Sequence, residues 1–560
     1  MRRVFRGVVI AGGVLTAAAW LHAQGREWTT AAFDAQRTGW VRSDARLTKE
    51  AIQKGNFQFL WKARFENEPR QLNSLTPPII LDRLIGYRGF KALGFIGGSA
   101  DRVFAIDTDL ARPYWTTHLN YSAATGGQPP SSWECPGGLI ATPTRRTVLA
   151  PQPPPTGGAR GGRGARSGSA VGEPGRGAAV LSQQAAGRGR RGAPPPGPPP
   201  APASGRAVAA IPFGGVDPLY AVGSDGYLHT LSSANGADMT PPVPFVPPSS
   251  KPSALIFLDG VVYTTTSSGC GAAPNAVWAI DLTADNKVTS WKTGGPDIVG
   301  TTALAFGGDG TLFVALGKPA TGGDATYANA VVALDRETLQ PKGWFSAGAV
   351  GFSSAPVVFS HSNKDVVAIS GSDGRLYLLD GAAPGGADHK TPLHVSPKFA
   401  TGGSAAGLST WEGDGTRWVL VPVAGTVQAG VPLTANGVAA SGSVVAFKVA
   451  DAGGSLTLTP GWASRNLTSP LAPIVVNGVV FAVSSGEHRG GSASLSAAQR
   501  AQRSTPAVLY ALDGATGQQL WSSRATIGSF ARGGLSAAAG QVYLVTYDNH
   551  LYAFGVPMEH

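Results

Sequence analysis

The chain repeats one short strand motif eight times, and this repeat constrains the fold more than any other feature. Each copy is an apolar run that ends in Ala-x-Asp or a variant of it, as in Val-Trp-Ala-Ile-Asp281 and Leu-Tyr-Leu-Leu-Asp380. With residues 149–206 set aside, successive copies lie about 40–65 residues apart, which is the spacing of four-stranded propeller blades. The copies end at Asp107, Ser232, Asp281, Asp335, Asp380, Lys448, Asp513 and Gly555.

Each repeat has the same internal order. A turn of small residues precedes a first strand, as at Thr76-Pro-Pro-Ile-Ile, and a second strand follows before the repeated motif. Several copies join these strands through Asp-Gly, as at Asp225-Gly226 and Asp373-Gly374, a dipeptide that favours tight hairpins because both residues tolerate positive φ. The sequence therefore predicts an all-β, eight-bladed propeller with four-stranded blades over residues 57–556.

The two ends of the repeat region complement each other. The last copy stops at Gly555 without a Trp-bearing outer strand, whereas Phe57-Gln-Phe-Leu-Trp61-Lys-Ala-Arg-Phe65 is an isolated strand of that kind. Pairing the two would remove both free sheet edges. We therefore expect an N-terminal strand to close the ring.

One copy carries a longer signature, with Ala511, Asp513, Thr516, Gly517 and Trp521 at fixed offsets. It resembles the tryptophan-docking repeat of the pyrroloquinoline-quinone-type propellers, the quinoprotein alcohol dehydrogenase-like family. The resemblance implies that the Trp ring packs between neighbouring blades and that Asp, Thr and Gly form a tight turn. Comparable tryptophans are Trp61, Trp115, Trp291 and Trp344.

The resemblance leaves two classes of function open. Quinone dehydrogenases of this type hold pyrroloquinoline quinone on the ring axis, commonly with an adjacent-cysteine disulfide and a Ca²⁺ ion. This chain has no adjacent cysteines, no recognisable calcium set and no catalytic motif, so its cofactor-binding residues stay unknown. We expect an exported, non-catalytic binding or scaffolding propeller without cofactor or metal, similar in repeat type to the outer-membrane assembly propeller. The alternative is an alcohol or sugar dehydrogenase that uses the quinone with calcium.

The N-terminus predicts export from a bacterial cell. Arg2, Arg3 and Arg6 precede an apolar run from Val8 to Trp20, and a small residue follows at Ala23. This order is typical of a secretory signal peptide, here residues 1–23, and the run is short for a membrane span. We expect a periplasmic or secreted protein without a stable membrane span, in which an N-terminal segment (24–56) leads into the propeller.

Most of the positive charge lies in one insert. Residues 149–206 hold eight arginines and one glutamate, in a composition dominated by Pro, Gly and Arg that cannot bury a core. We expect a disordered, solvated insertion, with a polyanion tether as the alternative. Outside the signal peptide and the insert the chain is nearly neutral, so no nucleic-acid partner is expected.

Long loops predict where a ligand binds. The loops between second and third strands are long at 267–276, 317–329, 422–443 and 484–506. In a propeller these loops share a face with the passages between blades, so an unknown protein or small-molecule ligand is expected there. Cys135, in the first such passage, and Cys270, in the loop 267–276, lie on this long-loop face. A disulfide between them is feasible in an oxidising compartment, with unpaired thiols as the alternative.

Overall fold

A computed structural model describes residues 27–86, 89–119, 131–149, 217–319, 326–404, 406–490 and 495–557. The predicted signal peptide (1–23) lies outside these residues, as does the predicted insert (149–206) apart from its first residue. The N-terminal part contains strand β1 (Trp40–Val41), helix α1 (Lys49–Gln53) and strand β2 (Gln58–Arg64). Thr48 caps α1 by accepting a hydrogen bond from the Ala51 N–H.

The eight-bladed propeller is confirmed: eight sheets follow one another along the chain. Blade 2 differs from the others, since its inner strand is reduced to a bridge between Thr144 and Tyr220. Blades 1 to 4 consist of β3 (Ile79–Gly86), β4 (Gly89–Gly98), β5 (Arg102–Asp107), β6 (Arg112–His118); β7 (Leu219–Val222), β8 (Tyr227–Leu231), β9 (Val243–Pro244); β10 (Ile256–Leu258), β11 (Val261–Thr266), β12 (Ala276–Asp281), β13 (Lys287–Lys292); and β14 (Leu304–Phe306), β15 (Leu312–Ala315), β16 (Ala330–Leu334), β17 (Pro341–Ser346).

The second half of the ring has the same organisation. In blades 6 and 7 an additional short strand extends the sheet to five strands. Blades 5 to 8 consist of β18 (Val357–His361), β19 (Lys364–Ser370), β20 (Leu376–Asp380), β21 (His394–Val395); β22 (Ser409–Gly413), β23 (Thr416–Ala424), β24 (Thr434–Ala435), β25 (Gly442–Ala452), β26 (Ser455–Ala463); β27 (Ile474–Val476), β28 (Val479–Ser484), β29 (Val508–Asp513), β30 (Gln519–Ser522); and β31 (Leu535–Ala538), β32 (Gln541–Val545), β33 (His550–Gly555) with β2. Helix α2 (Ala497–Arg503) lies between β28 and β29, and short 3-10 turns span Cys270–Ala272 and Gly386–Asp388.

The burial of each strand follows its position in the blade. Strand β16, the third of blade 4, is buried along its whole length, whereas the outer strand β13 alternates between exposed and half-buried residues. Inner strands have a neighbouring blade on both faces, and the outer strand lies at the rim of the ring. This explains why the repeated motif, which forms the third strands, reads as a continuous apolar run.

The predicted closure is confirmed. Strand β2 pairs antiparallel with β33, from Gln58 opposite Gly555 to Arg64 opposite His550. The first propeller strand of the chain thereby becomes the outer strand of the last blade. Strand β33 is thus covered by β2 and is not the edge of its sheet.

Outer-strand tryptophans dock onto the following blade. The indole N–H of Trp115 in blade 1 donates to the Ser233 carbonyl in blade 2 at 3.0 Å. Trp462 of blade 6 donates to the Gly514 carbonyl in blade 7 at 2.9 Å, and Trp61 of blade 8 donates to the Thr108 carbonyl in blade 1 at 3.2 Å. Each acceptor belongs to the turn after a third strand. The turn therefore receives the Trp of the preceding blade.

The signature turn 513–517 shows how this contact is built. The Asp513 carboxylate accepts hydrogen bonds from the N–H groups of Ala515 and Thr516, both at 2.9 Å. Gly517 has φ +73°, and a Cβ there would lie 2.4 Å from the Trp462 ring. The glycine is thus required by both the backbone conformation and the indole above it.

The remaining predicted docking residues are buried or contact aromatic side chains of other segments. Ala511 is buried in β29. Trp521 packs edge-on against Phe57, with ring centroids 4.8 Å apart. Trp291 contacts Tyr327 edge-on, and Trp344 stacks on His389.

Residues 27–41, here called the axial segment, form hydrogen bonds with the inner strands of successive blades. The order of these contacts along the segment is the order of the blades in the chain. They are followed by Asp44, which accepts a hydrogen bond from the Gly540 N–H of blade 8. The axial segment adds β1 in parallel to β27 of blade 7. Its partners in blades 1 to 7 are Ile80, Arg145, Leu255, Phe306, Val358, Thr410 and Val475. Residues 27–41 of the predicted N-terminal segment therefore run around the ring axis along the inner strands.

Candidate functional site: the axial cavity

A cavity of about 530 Å³ lies on the ring axis, here called the axial cavity. Every blade contributes the residues that precede or begin its inner strand, and the axial segment contributes Ala31, Ala32 and Arg37. The cavity therefore opens on the long-loop face and has the axial segment as its floor. Representative residues from blades 1 to 8 are Thr76, Thr142, Ser253, Thr302, Ser353, Leu408, Ala472 and Gly534.

Arg37 anchors the floor. Its side chain is 2% exposed, and its guanidinium donates to the carbonyls of Leu304 at 2.8 Å and Ala31 at 2.6 Å. A further hydrogen bond reaches the Thr30 hydroxyl at 3.0 Å. Burial lowers the pKa of Arg37 to about 9, so the group stays charged at neutral pH. A positive charge thus lies at the bottom of the cavity among neutral acceptors.

Trp133 organises one side of the opening. It belongs to the passage from blade 1 to blade 2 and is 39% exposed. Two guanidinium groups lie over its ring, that of Arg500 at 4.6 Å and that of Arg532 at 4.9 Å. Stacking on an indole holds a guanidinium in a fixed plane. Arg500 comes from α2 within the long loop 484–506, so this loop reaches the opening as the sequence analysis expected.

The Glu487 carboxylate pairs with Arg489 and Arg532. This buried carboxylate lies 2.8 Å from Arg489 Nε and 3.6 Å from Arg532 Nε. The nearer partner is therefore Arg489. Burial lowers the pKa of Arg532, and Glu487 opposes that shift.

Lys251, Ser268 and Asp297 also lie at the opening. Lys251 Nζ donates to the Ser268 hydroxyl at 3.2 Å. Asp297 accepts from the Ser268 N–H at 2.7 Å and from its hydroxyl at 3.3 Å. Burial lowers the pKa of Lys251, Asp297 and Glu134 oppose the shift, and the positive charge of Arg532 adds to it.

A disulfide joins Cys135 to Cys270, with Cα atoms 5.4 Å apart. It ties the passage that carries Trp133 to the loop that carries Ser268. The pairing that the sequence left open is thus the arrangement in this structure. Its location explains how two irregular segments from blades 1 and 3 are held at one opening.

The cavity does not fit the calcium ion that the family resemblance implies. Ca²⁺ takes six to eight oxygen ligands and commonly several carboxylates. Asp297 is the single carboxylate among the described residues that line the cavity, and Ser268 occupies its oxygens. Within the described part of the chain, no group of three His, Cys, Asp or Glu side chains could hold a metal ion.

Part of this site is visible in the sequence. Turns of small residues precede the inner strands, and those at Gly300-Thr301-Thr302, Ser353 and Gly533-Gly534 line the cavity. In blade 6 the lining residues are 406–409. Arg532 stands beside one of these turns, and its side chain also lines the cavity.

Lys251, Asp297 and the role of Trp133 were missed. All three stand shortly before an inner strand or in a passage between blades. That position was the available signal, since such residues meet at the axis of a propeller.

Similarity to solved structures supports the fold. The quinohemoprotein alcohol dehydrogenase from Comamonas testosteroni aligns over 96% of this chain and 82% of its own, with 12% identity and a TM-score of 0.55. A europium-containing methanol dehydrogenase aligns over 95% of this chain and 98% of its own, with 10% identity and a TM-score of 0.54. BamB from Moraxella catarrhalis aligns over 90% of this chain and 99% of its own, with 12% identity. Its TM-score of 0.44 supports no inference.

No protein-family model matches the chain, and no curated protein matches it in sequence. At 10–12% identity the structural matches show the fold alone. In the described residues, no helix has the length and apolar character needed to cross a membrane. What the chain does must therefore be inferred from the axial cavity itself.

Proposed function

We propose that this chain is an exported, non-catalytic binding propeller whose ligand occupies the axial cavity. The observation that carries the proposal is the composition of the cavity lining. Its charged members in the described residues are Arg37, Lys251, Arg532 and Asp297. Three cations and one hydrogen-bonded carboxylate form a binding surface, whereas a quinone dehydrogenase needs a metal ion beside a general base.

The form of the cavity supports the same function. Its volume falls within the range of small-molecule sites, about 300–1,000 Å³. Since the axial segment contributes Ala31, Ala32 and Arg37 to the lining, we expect a ligand to enter and leave on the long-loop face. The disulfide is compatible with the oxidising compartment that the N-terminal sequence predicts.

The second candidate is a quinone-dependent alcohol or sugar dehydrogenase. The fold similarity favours it, together with the position of the cavity on the ring axis. Asp297 is then the residue that would act as general base. The two candidates differ in one measurable property, which is turnover.

The test is reconstitution of the full chain with pyrroloquinoline quinone and Ca²⁺, followed by a dye-linked assay on alcohols and aldoses. We expect no dye reduction above that of heat-denatured protein. Quinone- and Ca²⁺-dependent turnover that is lost in Asp297→Asn would overturn the proposal. The matched control is Asp414→Asn, since Asp414 lies exposed in the turn between β22 and β23.

A further inference from the structure

We propose that the axial cavity binds a small hydroxylated carboxylic acid, of the uronic acid class, whose carboxylate lies between Lys251 and Arg532. This inference rests on the proposed function and names the ligand class of the same cavity. It follows from the charges at the opening and from the hydroxyl groups below them.

The charged side chains that line the cavity carry a net positive charge, with Arg37, Lys251 and Arg532 against Asp297. Lys251 and Arg532 line the same cavity and repel each other, as the pKa of Lys251 indicates. Asp297 contacts Ser268, which lies between it and Lys251. A carboxylate between the two cations would remove this repulsion and pair with both.

The Arg532 guanidinium is only partly paired. Its Nε lies 3.6 Å from the Glu487 carboxylate, and its buried Nη1 atom has no hydrogen-bond partner among the described residues. The stack on Trp133 fixes the plane of the guanidinium. A planar, oriented guanidinium matches the two oxygens of a carboxylate. Trp133 is accordingly a positioning residue in this proposal.

The lining below the opening is rich in hydroxyl groups. Thr301, Thr302 and Ser267 line the cavity and are half-buried or exposed to it. Hydroxyl groups can both donate and accept, which suits a ligand that carries several hydroxyls of its own. An apolar acid would leave these groups without partners, so a hydroxylated acid fits the lining better.

The test is calorimetric titration of the full chain with galacturonate, galactose and inorganic phosphate. We expect galacturonate to bind at least about tenfold more tightly than galactose, a difference near 1.4 kcal/mol. Salt should weaken galacturonate binding, because part of the attraction is between charges. Phosphate that binds as tightly as galacturonate would overturn the carboxylate assignment, and equal binding of both sugars would overturn the role of charge.

Substitutions locate the site. Arg532→Met and Lys251→Met should each weaken galacturonate binding at least about tenfold. Arg532→Lys keeps the charge but loses the planar donor pair, so it should bind with intermediate affinity. Control variants are Arg524→Met and Lys62→Met, whose side chains are exposed on turns and outer strands away from the cavity. Melting temperatures show whether each variant is folded.

Trp133→Ala tests whether Trp133 positions Arg532 or only stabilises the fold. It should weaken galacturonate binding. Arg532→Lys should also lower the affinity less in the Trp133→Ala background than in the parent protein, because the guanidinium plane is no longer fixed. Unchanged binding in the Arg532 and Lys251 variants would overturn the proposed site. Absence of galacturonate binding together with absence of dye reduction refutes the ligand class and leaves the binding function standing, whereas quinone-dependent dye reduction refutes the function itself.

Discussion

The two ends of the ring axis are built differently. At one end the axial segment bonds to the inner strands of successive blades, mainly through backbone groups and the buried Arg37. At the other end the axial cavity is surrounded by irregular passages and loops, which a disulfide and the stack of arginines on Trp133 hold in place. One end is part of the folded core, and the other is a surface whose lining includes Lys251, Arg532 and Asp297.

This difference shows how a ring of similar blades acquires a single candidate binding site. Eight similar blades present eight similar strand ends to the axis, and symmetry alone gives an open channel. The axial segment breaks the symmetry because it bonds to the inner strands and contributes Arg37 to one end of the cavity. Changes at that end should therefore affect stability, and changes at the open end should affect binding.

The largest effect is expected from deletion of residues 1–65, which removes both the axial segment and β2. The inner strands lose hydrogen-bond partners, and β33 becomes a free edge. We expect aggregation or a large loss of stability, measured by size-exclusion chromatography and thermal melting. Deletion of residues 1–26 alone is the control. A protein without residues 1–65 that stays monomeric and melts unchanged would contradict the role of this end.

Arg37→Ala tests the floor of the cavity by itself. The substitution leaves the carbonyls of Leu304 and Ala31 without their donor, and we expect a loss of about 3–5 kcal/mol in the free energy of unfolding. Denaturant titration measures the change. Arg64→Ala, on the exposed face of β2, should cost less than about 0.5 kcal/mol. Equal effects of the two substitutions would show that the floor is not part of the core.

Cys135→Ser tests the open end. Chain-entropy estimates for a closed loop of this size, with a sequence separation of 135, reach about 4–5 kcal/mol, and measured losses are typically about 2–4 kcal/mol. We expect a lower melting temperature without unfolding, because the blades stay paired, and weaker ligand binding, because Trp133 is released. A reductant should destabilise the parent protein and leave Cys135→Ser unchanged. Recovery of both thiols free on non-reducing peptide mapping would refute the disulfide in the exported protein.

The smallest effect is expected from Lys251→Met in the absence of ligand. The pKa of Lys251 is lowered in the folded state by burial and by Arg532, against the opposing charges of Asp297 and Glu134. The unfolded chain therefore binds more protons between the lowered and the ordinary lysine pKa, so the parent protein gains stability as the pH rises through that window. Below it, Lys251→Met should melt higher by up to about 2 °C. This advantage should disappear above the ordinary lysine pKa, which melting curves over a pH series would measure.

The sequence by itself determined the ring. The repeated apolar strands, their spacing and the isolated strand at 57–65 predicted eight blades and their closure, because strand patterns and turns are local features. The two cysteines and the long loops also indicated the face on which Trp133 and Ser268 line the cavity. The Trp-docking repeat predicted contacts between blades, although it did not show that each turn receives the Trp of the preceding blade.

Only the tertiary structure decided what lies on the axis. The axial segment has no repeat and no regular pattern, and its partners are separated from it by up to several hundred residues. No local sequence feature therefore predicts its path. Lys251, Asp297 and Arg532 likewise become one site only because the ring brings the starts of different blades together. Periodic burial can be read along a chain, whereas the convergence of irregular segments depends on closure of the whole ring.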